Sequence, residues 1–305
     1  MEKIAVIGAG VIGGAIVKSL LIKGYQGRVI ATRRDAEKLK ELEKLGALVT
    51  TDNKKAAKEA DIIFLCIKPN DVAKVLKEIS AEIENKIVIS TAATIPLQFY
   101  KNLAPRAKFV RTMPNIAALV QESFTAYCCD NSLSNEEKMR VKRILDAMGV
   151  SEEVEENYMD AITALSGSGP GYISIIIEAL MYAGLKVGLP RDLALYSSAQ
   201  AVLGTGKLIL ETREHPAKIK DMVTTPGGTT IEAIFELEGS QIRQALMKAV
   251  EEATKKCEKI REKNYRYLKV GHSHSMTGVS TAVFHHGLSH FLSTTGKTLR
   301  SSCIR

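Results

Sequence analysis

Cysteine is scarce in this chain and follows no ligand pattern. The five cysteines (Cys66, Cys128, Cys129, Cys257, Cys303) are odd in number and never stand as Cys-x-x-Cys. That excludes the usual zinc spacing and a disulfide framework, and it fits a reducing, cytoplasmic setting. Long apolar runs are missing too. The opening Met1-Glu2-Lys3-Ile4-Ala5-Val6 is a short β-type run, unlike the extended apolar core of a secretory signal. The most apolar later stretch, residues 170–189, is broken by Glu178 and Lys186, so no membrane span is expected. Acid is absent from residues 265–305, which hold Arg266, Lys269, Lys297, Arg300 and Arg305. Without those five cations the net charge drops from +8 to +3. The body is nearly balanced, and no nucleic-acid surface is expected. Tryptophan does not occur, while apolar content is ordinary. The 305 residues suffice for two domains, single domains running to about 100 to 200 residues.

What is present begins with an alternation. Residues 3–7, 28–32, 62–67, 87–90 and 108–112 are short β-type runs, with 124–128 as a further candidate. Helical patterns at 36–45, 70–79 and 135–148 lie between them, with Ser134 placed to cap the last and Gly149 to end it. This is the pattern of a parallel sheet wrapped by helices, an α/β Rossmann-type domain over residues 1–157. Beyond it the β-type alternation stops, and an all-α domain is expected over residues 158–264. Segments 172–187 and 193–210 are apolar on most faces, the first through Ile173, Ile175, Ile176, Ile177, Leu180 and Met181. Such helices must be buried. A helical region of about a hundred residues can hardly enclose both alone, so a subunit interface is expected, burial against the first domain being the other reading. A charged helix over 241–263 is expected to end near Asn264. Residues 265–305 carry His272, His274, His285, His286 and His290 in a Ser/Thr/Gly-rich setting. Metal binding is one reading of them; composition favours the other, an unstructured extension without a metal site.

Gly8-Ala9-Gly10-Val11-Ile12-Gly13 follows the first β-run and opens a helical pattern, the context that a dinucleotide fingerprint requires. Gly8 permits the tight turn, Gly10 lets backbone approach a pyrophosphate, and Gly13 lets helix and strand pack closely. About 20 positions further on, where an acid would accept the ribose hydroxyl of NAD, stand Arg33 and Arg34. Two guanidiniums suit the 2′-phosphate of NADP. The competing reading makes them solvated charges and gives the ribose to Asp35.

Further segments end β-runs with small or turn-forming residues, where ligands gather in open parallel sheets: Cys66, Ile67, Lys68 and Pro69; Ser90, Thr91, Ala92 and Ala93; and Arg111, Thr112, Met113, Pro114 and Asn115. Ser166-Gly167-Ser168-Gly169-Pro170-Gly171-Tyr172 is either a close backbone approach to a ligand or interdomain punctuation. The most specialised stretch is Thr224-Thr225-Pro226-Gly227-Gly228-Thr229-Thr230-Ile231. Its proline and glycines force a tight turn, and the helix opening at Thr229 and Thr230 presents amides suited to a carboxylate.

With these motifs, and above all residues 221–230, the chain resembles the pyrroline-5-carboxylate reductases over residues 1–264. The resemblance implies an enzyme that reduces 1-pyrroline-5-carboxylate to L-proline with NADPH, or with NADH as a second reductant. It implies a cofactor lying over Ile7, Gly8, Ala9, Gly10, Val11 and Ile12, with Arg33 and Arg34 near the extra phosphate and Asn53 near the adenosine. Remaining cofactor contacts fall to Cys66, Ile67, Lys68, Pro69, Thr91, Ala92 and Ala93. The substrate is expected at Thr225, Gly228, Thr229 and Thr230 and near Glu214. Helical domains of this family interlock as homodimers, which associate further.

The chemistry can be argued without the family. A cyclic imine takes hydride at carbon and a proton at nitrogen, and its carboxylate is a remote anchor. Because an imine arrives partly protonated, no strong acid is needed, and Thr230 is the expected group to hydrogen-bond the nitrogen and relay a proton. Helix capping is its alternative role. His215, before Pro216, reads as a surface turn. A second enzyme class, an NADP-linked 3-hydroxyacid or ketoacid dehydrogenase, would need a proton-trading lysine such as Lys186 or Lys207. A noncatalytic NADP-responsive protein is a third reading, against which the Pro-Gly-Gly-Thr-Thr loop speaks.

Overall fold

The computed structural model describes the backbone of residues 1–273 and the side chains of residues 1–263. The first half builds one eight-stranded sheet in the order β3-β2-β1-β4-β5-β6-β7-β8. Its elements run β1 (Lys3–Ile7), α1 (Val11–Ile22), β2 (Arg28–Thr32), α2 (Lys40–Lys44), β3 (Leu48–Thr50), α3 (Asn53–Glu59), β4 (Ile62–Leu65), α4 (Pro69–Ile79), β5 (Ile87–Ser90), α5 (Leu97–Leu103), β6 (Lys108–Met113), β7 (Ser123–Cys129), α6 (Asn135–Leu145) and β8 (Gly149–Glu153). Strands β3 to β6 are all mutually parallel; β7 turns antiparallel to β6 and β8 runs parallel to β7.

The central strands β1, β4 and β5 are apolar at every position but Lys3 and Ser90 because both faces are covered. Ile4 and Val6 face one way, with Ile62, Phe64 and Ile89, onto Ile16 and Leu20 of α1 and Val141 and Leu145 of α6. Ala5 and Ile7 face the other way, with Ile63, Leu65 and Phe109, onto Ala56 of α3, Leu76 of α4 and Tyr100 of α5. Alternating side-chain direction along a strand produces the two layers. Ser134 and Glu137 form a reciprocal capping box at the start of α6, and Gly149 follows the last turn with φ 141°.

Two strands escaped the pattern of the sequence. β3 has three residues, and β8 buries only Ser151. Both are edge strands, which need little apolar surface and so leave little periodic signal.

The second half is helical: α7 (Met159–Ile162), a π-wound segment Thr163–Gly167, α8 (Gly169–Lys186), α9 (Arg191–Thr212), α10 (Pro216–Met222), α11 (Thr229–Glu238) and α12 (Ile242–Ser273). Pro170 occupies the first turn of α8, where its missing N–H costs nothing. Gly184 lets α8 approach α9, since a Cβ there would stand 2.8 Å from Cβ of Ala194. The expected end of the last helix near Asn264 is corrected: α12 continues to Ser273. Residues 264–270 contain neither proline nor glycine, so nothing in the backbone interrupts the turn-by-turn bonding. Residues 265–273, including His272, are therefore helical rather than unstructured. His274, His285, His286 and His290 lie outside the described residues.

Candidate active site

Strand order reverses beside β1, with β2 on one side and β4 on the other, the place where open α/β sheets bind ligands. Ile7, buried, ends β1, and the chain turns at Gly8 with φ 92°. The N–H groups of Gly8 and Ala9 donate to the Thr32 carbonyl at 3.1 and 2.8 Å, which ties the turn to β2. The three glycines differ in their surroundings. A Cβ on Gly8 would stand 2.6 Å from the Cys66 carbonyl oxygen, and one on Gly13 would strike the Gly8 carbonyl. At Gly10 the same test meets only the Gly8 carbonyl oxygen, at 4.0 Å. Gly8 and Gly13 are thus required for packing, whereas Gly10 faces open space. Gly10 also caps α1 without a side chain, leaving the first-turn amides of Val11, Ile12 and Gly13 available to an anion.

At the end of β2, Oγ1 of Thr32 donates to Oδ1 of Asn53 at 2.7 Å. This bond brings the start of α3 to the same rim. The Arg33 guanidinium folds over the glycine turn, Nη1 donating to the Ala9 carbonyl at 3.3 Å, while Arg34 is exposed. Asp35 is already engaged, accepting from the Glu37 N–H at 3.2 Å and pairing with Lys38 at 3.4 Å.

Cys66 follows β4, its N–H donating to the Ile7 carbonyl at 2.8 Å. Burial pushes its thiol up to about 12, against a weaker opposing hydrogen bond with Thr91. The group is an uncharged wall of the crevice, not a nucleophile. Lys68 caps α4 and Pro69 begins it, with Ile67 beside the Gly8 turn. Thr91 reaches back to the Leu65 carbonyl, while Ala92 is buried and Ala93 half-buried at the end of β5.

The other expected site lies on α10 and α11. The Gly228 N–H donates to the Thr225 carbonyl at 3.0 Å across a turn in which Gly227 has φ 67°. A Cβ on Gly228 would collide with Oγ1 of Thr225. The Gly228 amide is taken up by this turn, which leaves the first-turn amides of Thr229, Thr230 and Ile231 for an anion. Gly228 caps α11 with no side-chain bond, so the Thr230 hydroxyl, half-buried, does not cap. Glu214 pairs with Lys218 at 2.5 Å. His215 is exposed, and its Nδ1 accepts from the Ala217 N–H at the start of α10. Lys186 and Lys207 are exposed on α8 and α9. Among the described residues no hydrogen bond or ion pair joins the 214–230 group to the crevice group within one chain.

Two junctions between the halves went unread in the sequence. Asn115, just past β6, donates through Nδ2 to the Ser166 carbonyl at 3.2 Å, joining the Met-Pro-Asn motif to the π-wound segment. Arg111 of β6, 2% exposed, donates to Glu156 at 3.2 Å and to Asp160 at 3.1 Å, and Arg261 of α12 stands 3.1 Å from the other Asp160 oxygen. A signal did exist. An arginine inside the apolar run Phe109-Val110-Arg111 has to find a buried acid.

A family model described as pyrroline-5-carboxylate reductase dimerisation matches residues 156–260, and one described as NADP oxidoreductase, coenzyme F420-dependent, matches residues 3–94. Pyrroline-5-carboxylate reductase from Methanosarcina acetivorans is 40% identical over 267 residues, covering 86% of this chain and 99% of that protein. Human pyrroline-5-carboxylate reductase 2 is 35% identical over 254 residues, covering 80% and 79%. The solved Coxiella burnetii enzyme superposes with a TM-score of 0.79 at 32% identity over 84% of this chain and 97% of that one. The Plasmodium falciparum pyrroline carboxylate reductase, solved with NADP bound, gives 0.75 at 26% over the same shares. On sequence and fold together, the chain belongs to the pyrroline-5-carboxylate reductase family.

Proposed function

We propose that this chain reduces 1-pyrroline-5-carboxylate to L-proline with NADPH, the last step of proline biosynthesis, in the cytoplasm. The observation that carries the reading is a pairing within a chain of this family. One helix mouth opens beside a glycine with free space in front of it, Gly10, and a second, uncapped helix mouth presents a hydroxyl at Thr230. The dehydrogenase alternative loses its ground, since relatives that match along most of the chain are pyrroline-5-carboxylate reductases and neither Lys186 nor Lys207 carries a motif.

The crevice fits a pyridine dinucleotide: the amides of Val11, Ile12 and Gly13 would hold the pyrophosphate, Asn53 the adenosine side, and Arg33 with Arg34 the 2′-phosphate. When bound, NADPH supplies the hydride. Residues Cys66 to Pro69 and Thr91 to Ala93 would wall the nicotinamide end and exclude water. Amides at Thr229, Thr230 and Ile231 would grip the substrate carboxylate, with Thr225 shaping the turn and Glu214 near the rim. The Thr230 hydroxyl, free of capping duty, would hold the imine nitrogen and pass it a proton.

The match to a dimerisation segment supports a homo-oligomer. Exposed apolar side chains on α8, α9 and α11, with Ile175 67%, Tyr196 72% and Phe235 74% accessible, support a dimer through the helical half, with further association of dimers. No helix among the described residues is long and apolar enough to cross a membrane, and the near-balanced body offers no nucleic-acid surface.

The test is NADPH consumption with pyrroline-5-carboxylate and identification of proline, for the parent and Thr230→Ala. We expect kcat to fall about 10²- to 10⁴-fold, the range of general acid help, with an unchanged melting temperature because no cap is lost. A folded parent that forms no proline overturns the function; an unaffected variant removes Thr230 from it.

A further inference from the structure

We propose that Arg111, Glu156, Asp160 and Arg261 act as a positioning clamp, which holds the crevice wall at residues 91–96 and the π-wound segment Thr163–Gly167 in one fixed relation. The proposal rests on the reductase reading for its consequence in catalysis, though not for its geometry.

The connections are specific. Arg111 lies opposite Ser90 in the β5–β6 register, at the end of the strand that becomes the wall Thr91 to Ala93. One of its nitrogens donates to Oε1 of Glu156 at 3.2 Å, and that same oxygen accepts the Leu97 N–H at 2.7 Å, where the wall loop enters α5. The other nitrogen donates to Oδ1 of Asp160 at 3.1 Å. Asp160 sits in α7, which leads directly into the π-wound segment. From the far side of that segment, Asn115 holds Ser166. One guanidinium fork therefore sets the loop beside the crevice and the entry to the helical half at once.

Arg261 completes the arrangement. Oδ2 of Asp160 is sealed from solvent and takes no hydrogen bond among the described residues. Its counter-charge is Nη1 of Arg261, 3.1 Å away on α12. Two cations thus balance two carboxylates, with Arg111 and Asp160 buried where a lone charge would be costly and Glu156 and Arg261 half-buried at the edge. Buried ion groups add little net stability compared with apolar side chains of equal volume, so stability is a poor account of this cluster. Geometry is a better one: hydride transfer demands close alignment, and a misplacement of about 1 Å can cost about 10²-fold.

The two arginines differ in how they act. Arg111 serves two acceptors as a planar fork, which lysine cannot copy. Arg261 meets Oδ2 by charge alone, without hydrogen-bond alignment, which lysine can supply.

The experiment compares Arg261→Met, Arg261→Lys and the parent in full-length protein. NADPH sites are counted by fluorescence titration, and proline formation is expressed per site. For Arg261→Met we expect an NADPH dissociation constant within about twofold of the parent and kcat per site down about 10- to 100-fold. Arg261→Lys is expected to recover most of the loss, and Arg111→Lys, where it folds, is not. Hydrogen exchange at residues 163–167 is expected to speed up in Arg261→Met and to return in Arg261→Lys. An unchanged kcat per site with fewer NADPH sites would make the cluster merely structural and overturn the proposal, as would unchanged exchange at 163–167. A parent that forms no proline, with exchange still responding to Arg261, would defeat the reductase reading and leave the clamp standing.

Discussion

The two halves of the chain dispose of their apolar side chains in opposite ways. Strands β1, β4, β5 and β6 hide theirs in two layers under α1, α3, α4, α5 and α6. From α8 to α12, by contrast, the buried residues among those described are only Met181, Ala194, Ser198 and Ile219. Apolar surface of that extent is unfavourable in water. The first half completes its own core, while the second, matched by a family model described as pyrroline-5-carboxylate reductase dimerisation, leaves most of its apolar surface uncovered within one chain. The candidate cofactor crevice lies in the half with its own two-layered core, the proposed carboxylate-binding turn in the half with few buried residues.

The hardest blow to this comparison is a charge on the uncovered faces. Ile175→Arg combined with Tyr196→Asp should dissociate the oligomer on a sizing column and lower activity roughly 100-fold or more, since a charge buried without a partner costs several kcal/mol. NADPH binding should persist, because the crevice draws on the first half alone. A variant that stays assembled and active would break the contrast.

Within the first half, the glycines separate fold from ligand. Gly8→Ala strains a positive φ and presses on the Cys66 carbonyl, so we expect a loss of about 2 kcal/mol or more in urea unfolding. Gly10→Ala meets open space; its unfolding midpoint should hold while NADPH affinity falls. Equal effects on both measurements at both positions would show that Gly10 is structural. A smaller effect is expected at the β2 rim: Arg33→Ala with Arg34→Ala should lower kcat/KM for NADPH about 10- to 100-fold, as charge-assisted hydrogen bonds are worth about 1.5 to 3 kcal/mol. The value for NADH should barely move.

Much of this was legible because strong local rules agree. The strand-glycine-helix context of Gly8, the capping signal at Ser134 and the apolar run of Ile62 to Leu65 each carry a physical constraint within a few residues. Other features depend on partners distant in sequence. β3 and β8 have too few inward side chains to make a period. The Arg111 cluster gathers residues from β6, the connection after β8, α7 and α12, and no local spacing announces that. Occupation of the Gly228 amide follows from the turn at Thr225, which is a matter of backbone geometry rather than residue type. The end of α12 lies beyond the change of composition near Asn264 because helix compatibility does not change there.

The mildest perturbation sharpens the contrast further. Ser134→Ala removes one side of the capping box on α6, at a cost of about 1 kcal/mol, which amounts to a fall of about 2 to 4 °C in melting temperature for a domain of some 150 to 250 residues. Because α6 packs on the sheet's own core, that shift should be the same at every protein concentration. The helical half should behave differently, since a fold completed by association gains stability by mass action. Ile175→Ala is therefore expected to lower the midpoint by an amount that grows as the protein is diluted. Calorimetry of the two variants across a range of concentrations distinguishes a self-contained half from a shared one without reference to catalysis.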